Sequence, residues 1–139
     1  ITVPLAGWIK RKKEIENTNG AFKKFKIVAE NAYQKVKTLS GGNQQKVVLS
    51  KWFMTNSRVI ILDEPTRGVD IRAKSEIYEF INQITSTGRS VIVISSEVSE
   101  ILGISHRILV MRNGSIVKEV INKKEIQEEE IMAYAMGGD

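Results

Sequence analysis

The sequence predicts an α/β domain with a mostly parallel sheet, flanking helices and a C-terminal hairpin. Residues 59–62 and 91–95 form two short, continuous apolar runs rich in β-branched side chains, which is typical of strands buried on both faces of a parallel sheet. Between them, apolar residues in the segment 73–84 recur at helical spacing. Asn113 and Gly114 separate two further apolar runs, which predicts a hairpin.

The flanking helices follow from periodicity and from the residues that begin and end each segment. Ser40 and two glycines precede a segment in which Val48 and Trp52 recur four residues apart, so we predict an amphipathic helix that begins there and ends at residues 56–57. Gly88 is expected to end the helix that covers residues 73–84. Further helices are expected at 21–34, 97–102 and 124–136, and residues 17–20 are predicted to form a loop.

Composition narrows the class of protein. The 139 residues suffice for one domain with a modest core, and the absence of cysteine excludes disulfides and thiolate metal sites and fits a cytosolic location. We expect no membrane span and no secretory signal, because the apolar runs are short and the N-terminal basic run follows the apolar residues. The net charge of +5 permits nucleic-acid binding, but the basic residues are spread along the chain, which favours a solvated surface.

Asp63 and Glu64 follow directly after the run at 59–62, where ligand chemistry in open α/β sheets takes place. Side chains alternate along an extended backbone, so the two carboxylates point in different directions. In phosphoryl transfer one carboxylate can hold Mg²⁺ while another orients the attacking water. For this pair alone, two acids that merely end a strand are the more common case.

Residues 39–45 (Leu-Ser-Gly-Gly-Asn-Gln-Gln) have the composition of an anion-binding helix start. Two glycines let the backbone approach a ligand closely, and the free N–H groups of a helix N-terminus favour phosphate. Ser40 and Gln45 add a hydroxyl and an amide. For the glycine pair alone, a capped helix after a flexible turn is the more common case.

Together these segments resemble the ABC ATPases. Residues 39–45 resemble the signature motif and residues 59–65 the Walker B motif, in which Asp63 matches the Mg²⁺-site aspartate and Glu64 the catalytic glutamate. Residues 66–70 resemble the D-loop, with Asp70 as its aspartate. The longer strings at 43–46 and 64–70 are similar to the second ATPase domain of ribose- and galactose-type sugar importers.

The resemblance implies a truncated P-loop NTPase core of the RecA-like ABC type. Residues 1–57 would be the remnant of a helical subdomain plus the signature helix, and residues 58–139 the C-terminal half of the core. It also implies ATP and Mg²⁺ as cofactors, with two ATPase domains facing each other head to tail. Glu64 would polarise water at an ATP held by its own domain. The residues expected to contact nucleotide, mostly that of a partner domain, are Ser40, Gly41, Gly42, Gln45, Asp70 and Ser96.

Two departures from the family pattern matter. The sequence holds no Gly-x-x-x-x-Gly-Lys-Ser/Thr phosphate loop, so we expect a fragment that is inactive alone. Without the strand that leads into that loop, the run at 91–95 would present an exposed edge. We therefore expect a fragment that self-associates, swaps elements or leaves its C-terminal hairpin poorly docked. Ser96 stands where the family usually carries a histidine, and Ser-Ser-Glu at 95–97 is frequent in the sugar-importer group. His106 is expected to be a surface or packing residue.

The leading hypothesis for function is therefore an ATPase subunit that energises monosaccharide import. Its partners would be a transmembrane permease and a second ATPase domain, at the cytoplasmic face of the membrane, without nucleic acid. One alternative is an ABC ATPase that acts on nucleic acid or ribosomes, which the basic charge allows. The other is a non-enzymatic interaction module. The signature and D-loop strings favour the importer.

Overall fold

The computed structural model describes residues 11–55, 57–122 and 126–138. Among these residues no helix is both long enough and apolar enough to cross a bilayer. The elements, in chain order, are α1 (Arg11–Lys24), a 3₁₀ turn (Val36–Thr38), α2 (Gly41–Phe53), β1 (Val59–Asp63), α3 (Ile71–Ser86), β2 (Ser90–Ile94), α4 (Val98–Ile104), β3 (Arg107–Arg112), β4 (Ser115–Ile121) and α5 (Glu128–Met136). The predicted α/β fold class is confirmed.

The chain divides into two compact units, each described separately below. The first takes in the described residues up to Ile60 together with Thr66–Val91, and the second holds Ile61–Pro65 and the described residues from Ile92 onward. Each of the strands β1 and β2 therefore contributes to both units.

Strands β1 and β2 pair in parallel, as the sequence predicts. At the start of the pair, the Ser90 N–H donates to the Arg58 carbonyl over 3.0 Å, and at its end the Glu64 N–H donates to the Ile94 carbonyl over 2.8 Å. Both strands advance in the same direction between these two bonds. Helix α3 connects them, which gives a strand-helix-strand unit.

The prediction that both strands are buried on both faces is wrong for the described residues. Ile60 and Leu62 are buried, whereas Val59 is 53% and Ile61 63% exposed. Strand β2 shows the same alternation, with exposed residues at every second position. The strands have the apolar composition of a sheet that is buried on both faces, but the described residues pack against only one face.

Helices α2 and α3 form the core of the first unit. The helix predicted at 73–84 is confirmed, and its buried residues are Ala73, Ile77, Phe80, Ile81 and Ile84. Leu49 of α2 is 1% exposed. The ring of Phe53 lies 5.7 Å from that of Phe80 and 5.2 Å from that of Phe25, so three aromatic rings join the end of α2 to α3. Gly88, with φ +79°, follows the end of α3 as predicted.

Helix α1 corrects two expectations about the N-terminal part of the chain. Residues 17–20 lie inside the helix and do not form a loop, and the helix ends at Lys24 instead of spanning residues 21–34. Lys26 ends it in a left-handed conformation with φ +50°, and the Ile27 N–H donates back to the Phe22 carbonyl over 2.9 Å. Tertiary packing outweighs the loop preference of Asn and Gly, since this turn buries Phe25 and Ile27.

The second unit is built on the predicted hairpin. Strands β3 and β4 pair antiparallel, with Arg107 opposite Ile121, and both turn residues, Asn113 and Gly114, have positive φ. This is the conformation that a two-residue hairpin turn requires. Helices α4 and α5 pack beside the hairpin around a core of Ile108, Val110 and Ile131. Helix α5 begins at Glu128, later than the predicted 124–136, and residues 124 and 125 lie outside the described residues.

Candidate nucleotide-contacting site

Ser40 lies at the N-cap of α2 in an extended conformation, as predicted, and its side chain is exposed. Its hydroxyl makes no capping bond to the helix backbone. It accepts a hydrogen bond from the Asn43 Nδ2 amide at 2.9 Å instead. The N–H groups of the first turn and the Ser40 hydroxyl therefore remain together at an exposed helix start, which suits an anionic ligand.

Two side chains of α2 hold the turn that follows α1. Asn43 Oδ1 accepts from the Val28 N–H at 2.9 Å, and the Lys46 ammonium donates to the Lys26 carbonyl at 3.1 Å. Lys46 also forms an ion pair with Glu76 of α3. The sequence alone assigns no role to Asn43 or Lys46. Their spacing of three residues, which places them on one helix face, is the signal that could have found them.

The two signature glycines differ in what surrounds them. A Cβ at Gly42 would lie 2.8 Å from the Cβ of Ala73 in α3, closer than such atoms pack. A Cβ at Gly41 would lie 3.7 Å from the Gly68 carbonyl, an ordinary contact. Gly42 therefore lets α2 approach α3, in addition to any approach by a ligand, while Gly41 is exposed.

Asp70 forms the N-cap of α3. Its Oδ1 accepts from the Ala73 N–H at 2.9 Å, a standard capping bond. The same residue, Ala73, faces Gly42, so the segment that resembles the D-loop and the segment that resembles the signature motif meet within the first unit. Gln45 is partly exposed on α2.

In the second unit, Glu64 and Ser96 are brought together. Glu64 Oε1 accepts from the Ser96 backbone N–H at 3.0 Å, and the Glu64 N–H donates to the Ile94 carbonyl. Glu64 has φ +45°, a left-handed conformation that a residue with a side chain seldom adopts and that is common at functional sites. The carboxylate thus lies across the ends of β1 and β2. His106 is exposed.

Asp63 ends β1 with an exposed side chain. Within the described residues, no three His, Cys, Asp or Glu side chains are grouped as a metal cage. Mg²⁺ in phosphoryl-transfer sites is held by one or two carboxylates together with substrate phosphates and water. A single accessible carboxylate at the end of a strand therefore fits Mg²⁺ that arrives with a nucleotide.

Comparison with known proteins agrees with this geometry. Residues 7–67 match the ABC transporter family. The ribose import ATP-binding protein RbsA of Clostridium perfringens (strain SM101 / Type A) is 48% identical over 127 residues, which are 91% of this chain and 25% of that protein. The xylose import ATP-binding protein XylG of Geobacillus kaustophilus is 48% identical over 125 residues, 90% of this chain and 25% of that protein. The chain thus spans about a quarter of the length of these relatives.

Solved structures show the same fold. The ATP-binding cassette MJ1267 of an ABC transporter superposes with a TM-score of 0.72 at 26% identity, over 94% of this chain and 49% of that one. The dimeric bacterial cassette MJ0796 superposes with a TM-score of 0.71 at 21% identity, over 84% and 50%. The latter cassette has also been solved bound to ADP and Pi.

Fold and motifs agree on one class: this chain contains a segment that matches the ABC transporter family, in the fold of ABC ATP-binding cassettes. Within that class it is homologous to the ribose and xylose import ATP-binding proteins, over the part of their length stated above. The resemblance drawn from the signature, Walker B and D-loop segments is confirmed.

Proposed function

We propose that this chain supplies the signature face and the water-activating carboxylate of an ATPase that energises sugar import. The hydrolysis would take place in an assembly with a transmembrane permease and a second ATPase domain, at the cytoplasmic face of the membrane. The observation that carries the proposal is the exposed start of α2, where the Ser40 hydroxyl and free N–H groups lie together. Residues 1–57 would belong to a helical subdomain and residues 58–139 to the core.

Each site residue then has a physical task. Ser40, Gly41 and Gly42 would donate hydrogen bonds to the phosphates of a nucleotide held by the second domain, and the Gln45 amide would add a further contact. Asp70 would reach the interface from the start of α3, and Ser96 would lie beside the γ-phosphate. Mg²⁺ held by Asp63 would neutralise phosphate charge.

Glu64 would orient and polarise the attacking water. In the structure its carboxylate is held by the Ser96 N–H, so one oxygen is engaged and the other is available for water. Hydrolysis on this scheme depends on positioning and electrostatic stabilisation, and it needs no covalent intermediate.

A chimera tests the proposal. The matched quarter of the Clostridium perfringens ribose import ATP-binding protein is replaced by this chain, and the purified chimera is assayed for Mg²⁺-dependent ATP hydrolysis and, in cells that lack the native protein, for ribose uptake. We expect hydrolysis and uptake, and we expect Glu64→Gln to lower hydrolysis by about 100-fold or more. The 139-residue chain alone should show no turnover.

The control is Glu97→Gln, which neutralises an exposed acid near the same strand end. It should leave hydrolysis within about twofold of the parent chimera. A folded chimera, judged by a cooperative melt, whose hydrolysis is unaffected by Glu64→Gln would refute the proposed role. Salt-dependent RNA binding by a chimera that does not transport would favour the nucleic-acid alternative.

A further inference from the structure

The amide of Asn43 has only one orientation that satisfies both of its neighbours. The Val28 backbone N–H can only donate, so the side-chain atom that faces it at 2.9 Å must be the amide oxygen. The Nδ2 group must then face Ser40, whose Oγ lies 2.9 Å away. Because an amide NH₂ group can only donate, Ser40 Oγ is the acceptor in this bond.

We infer that Asn43 is a positioning residue that fixes the direction of the Ser40 hydroxyl proton. With one lone pair of Oγ occupied by Asn43, the Ser40 O–H is directed away from Asn43 and remains available to donate. The inference rests on the proposed function, in which Ser40 meets a phosphate oxygen, and a phosphate oxygen only accepts. Asn43 thereby sets the hydroxyl as a donor before the nucleotide arrives.

The rest of the turn keeps Asn43 in place. Lys46 lies one helical turn further along α2 and binds the Lys26 carbonyl, so two side chains of one helix face hold the same short backbone segment. Lys26 is left-handed there, and Phe25 and Ile27 on either side of it are buried. A backbone segment anchored in this way presents the Val28 N–H in a fixed position, and this fixes the orientation of the Asn43 amide.

Asn43→Asp separates positioning from structural support. The aspartate keeps an oxygen for the Val28 N–H, but its other oxygen accepts from Ser40, so the hydroxyl proton turns toward residue 43 and away from the phosphate. We expect the Val28 amide to keep its hydrogen-exchange protection in the 139-residue chain. In the chimera, kcat/KM for MgATP should fall by about tenfold or more, the effect of losing a hydrogen bond to a charged group.

Two controls address the added charge. Asn31→Asp makes the same substitution at a residue whose Oδ1 also accepts from a backbone N–H, that of Tyr33 at 2.9 Å, and it should leave kcat/KM within about twofold. The second control is salt. Raising it from about 0.1 to 1 M shortens the Debye length from about 10 to 3 Å and so weakens charge repulsion. A loss of kcat/KM in Asn43→Asp that persists at 1 M salt is therefore caused by the changed hydrogen bond.

The decisive comparison is a double-mutant cycle with Ser40→Ala. If Asn43 acts through Ser40, Asn43→Asp should lower kcat/KM by less than about twofold in a chimera that already carries Ser40→Ala. Full additivity would overturn the inference, as would wild-type kinetics for Asn43→Asp. If Ser40→Ala itself leaves hydrolysis unchanged, the phosphate contact of the proposed function fails instead.

Neutron diffraction from the deuterated 139-residue chain gives a readout that does not depend on activity. We expect two deuterons on the Asn43 nitrogen, one of them directed at Ser40 Oγ, and the Ser40 deuteron directed away from Asn43. A Ser40 deuteron directed at Asn43 would overturn the inference whatever the kinetics.

Discussion

Gly42 lies in the first turn of α2, against Ala73 in α3. The sequence offers two reasons for a glycine there, a close ligand approach or a flexible turn before the helix, and the structure adds a third, a close approach of α2 to α3. A methyl group at this position would meet the Ala73 methyl at 2.8 Å, so the local packing of α2 against α3 would have to change. Overpacking of this kind costs about 1–3 kcal/mol.

We therefore predict that Gly42→Ala lowers the free energy of unfolding by about 1–3 kcal/mol, measured by urea denaturation. Gly41→Ala is the matched control, since its Cβ has an ordinary contact distance of 3.7 Å, and it should leave the free energy of unfolding within about 0.5 kcal/mol of the parent chain. Equal effects of the two substitutions would show that the Gly42–Ala73 approach does not limit stability.

Glu64 combines a candidate catalytic side chain with a left-handed backbone, φ +45°. Holding a residue with a Cβ in that region costs about 1–2 kcal/mol relative to glycine. We predict that Glu64→Gly is more stable than Glu64→Ala by about 1 kcal/mol in thermal unfolding, because both lose the bond to Ser96 and only the glycine relieves the strain. The reverse order would show that the backbone at residue 64 is not strained.

At the scale of elements, α2 is joined to α3 by polar contacts as well as by its apolar face. The Lys46 and Glu76 side chains are only 12% and 28% exposed, whereas the Lys26–Glu79 pair, with a separation of 3.7 Å, is 73% and 64% exposed. Exposed pairs contribute about 0–1 kcal/mol because water and salt screen them. A partly buried, hydrogen-bonded pair contributes more.

A pair of double-mutant cycles checks this difference. For Lys46→Met with Glu76→Gln we predict a coupling free energy of about 2 kcal/mol, and for Lys26→Met with Glu79→Gln less than about 1 kcal/mol. Both are measured by urea denaturation at the same ionic strength. Similar coupling in the two cycles would contradict the dependence on burial.

Element identity was predictable where the local pattern and the packing agree. The period of α3, the Asn-Gly turn of the hairpin and the apolar runs of β1 and β2 each indicate one structure. The helical conformation of residues 17–20 could not be predicted in this way. Asn and Gly favour a loop locally, whereas the burial of Phe25 and Ile27 at the end of α1 favours the helix. Whether β1 and β2 are buried on one face or on both depends on the elements that pack against the sheet. The local sequence of a strand does not specify those elements.

The residue types of the candidate site could be predicted from the sequence, but the contacts between those residues could not. The carboxylates after β1 and the glycines at the start of α2 indicate a site only in combination, because each pattern alone is more often structural. The Asn43 bond to Val28 joins residues 15 apart, and the Glu64 bond to Ser96 joins residues 32 apart. Such pairs become visible only once the chain is folded, since spacing along the sequence does not bring them together.

At the scale of the whole molecule, the second unit presents apolar strand residues to solvent. Ile61 is 63% exposed, Ile92 50% and Ile94 51%, and in the described part of the chain β2 pairs with β1 alone. Apolar strands with an unpaired edge bind other strands, in another domain or in a second copy. The self-association predicted from the sequence therefore stays a prediction, with a defined surface to test.

We predict that the 139-residue chain associates with itself at concentrations of about 10–100 µM, with a mass by light scattering that rises with concentration. Ile92→Lys should reduce this association, because a charge on the strand face opposes the approach of a second apolar surface. Ile71→Lys is the control, since Ile71 is 83% exposed in the first turn of α3 and belongs to neither β1 nor β2. A chain that stays monomeric over this range, or an equal effect of the two lysines, would show that the strand face does not drive association.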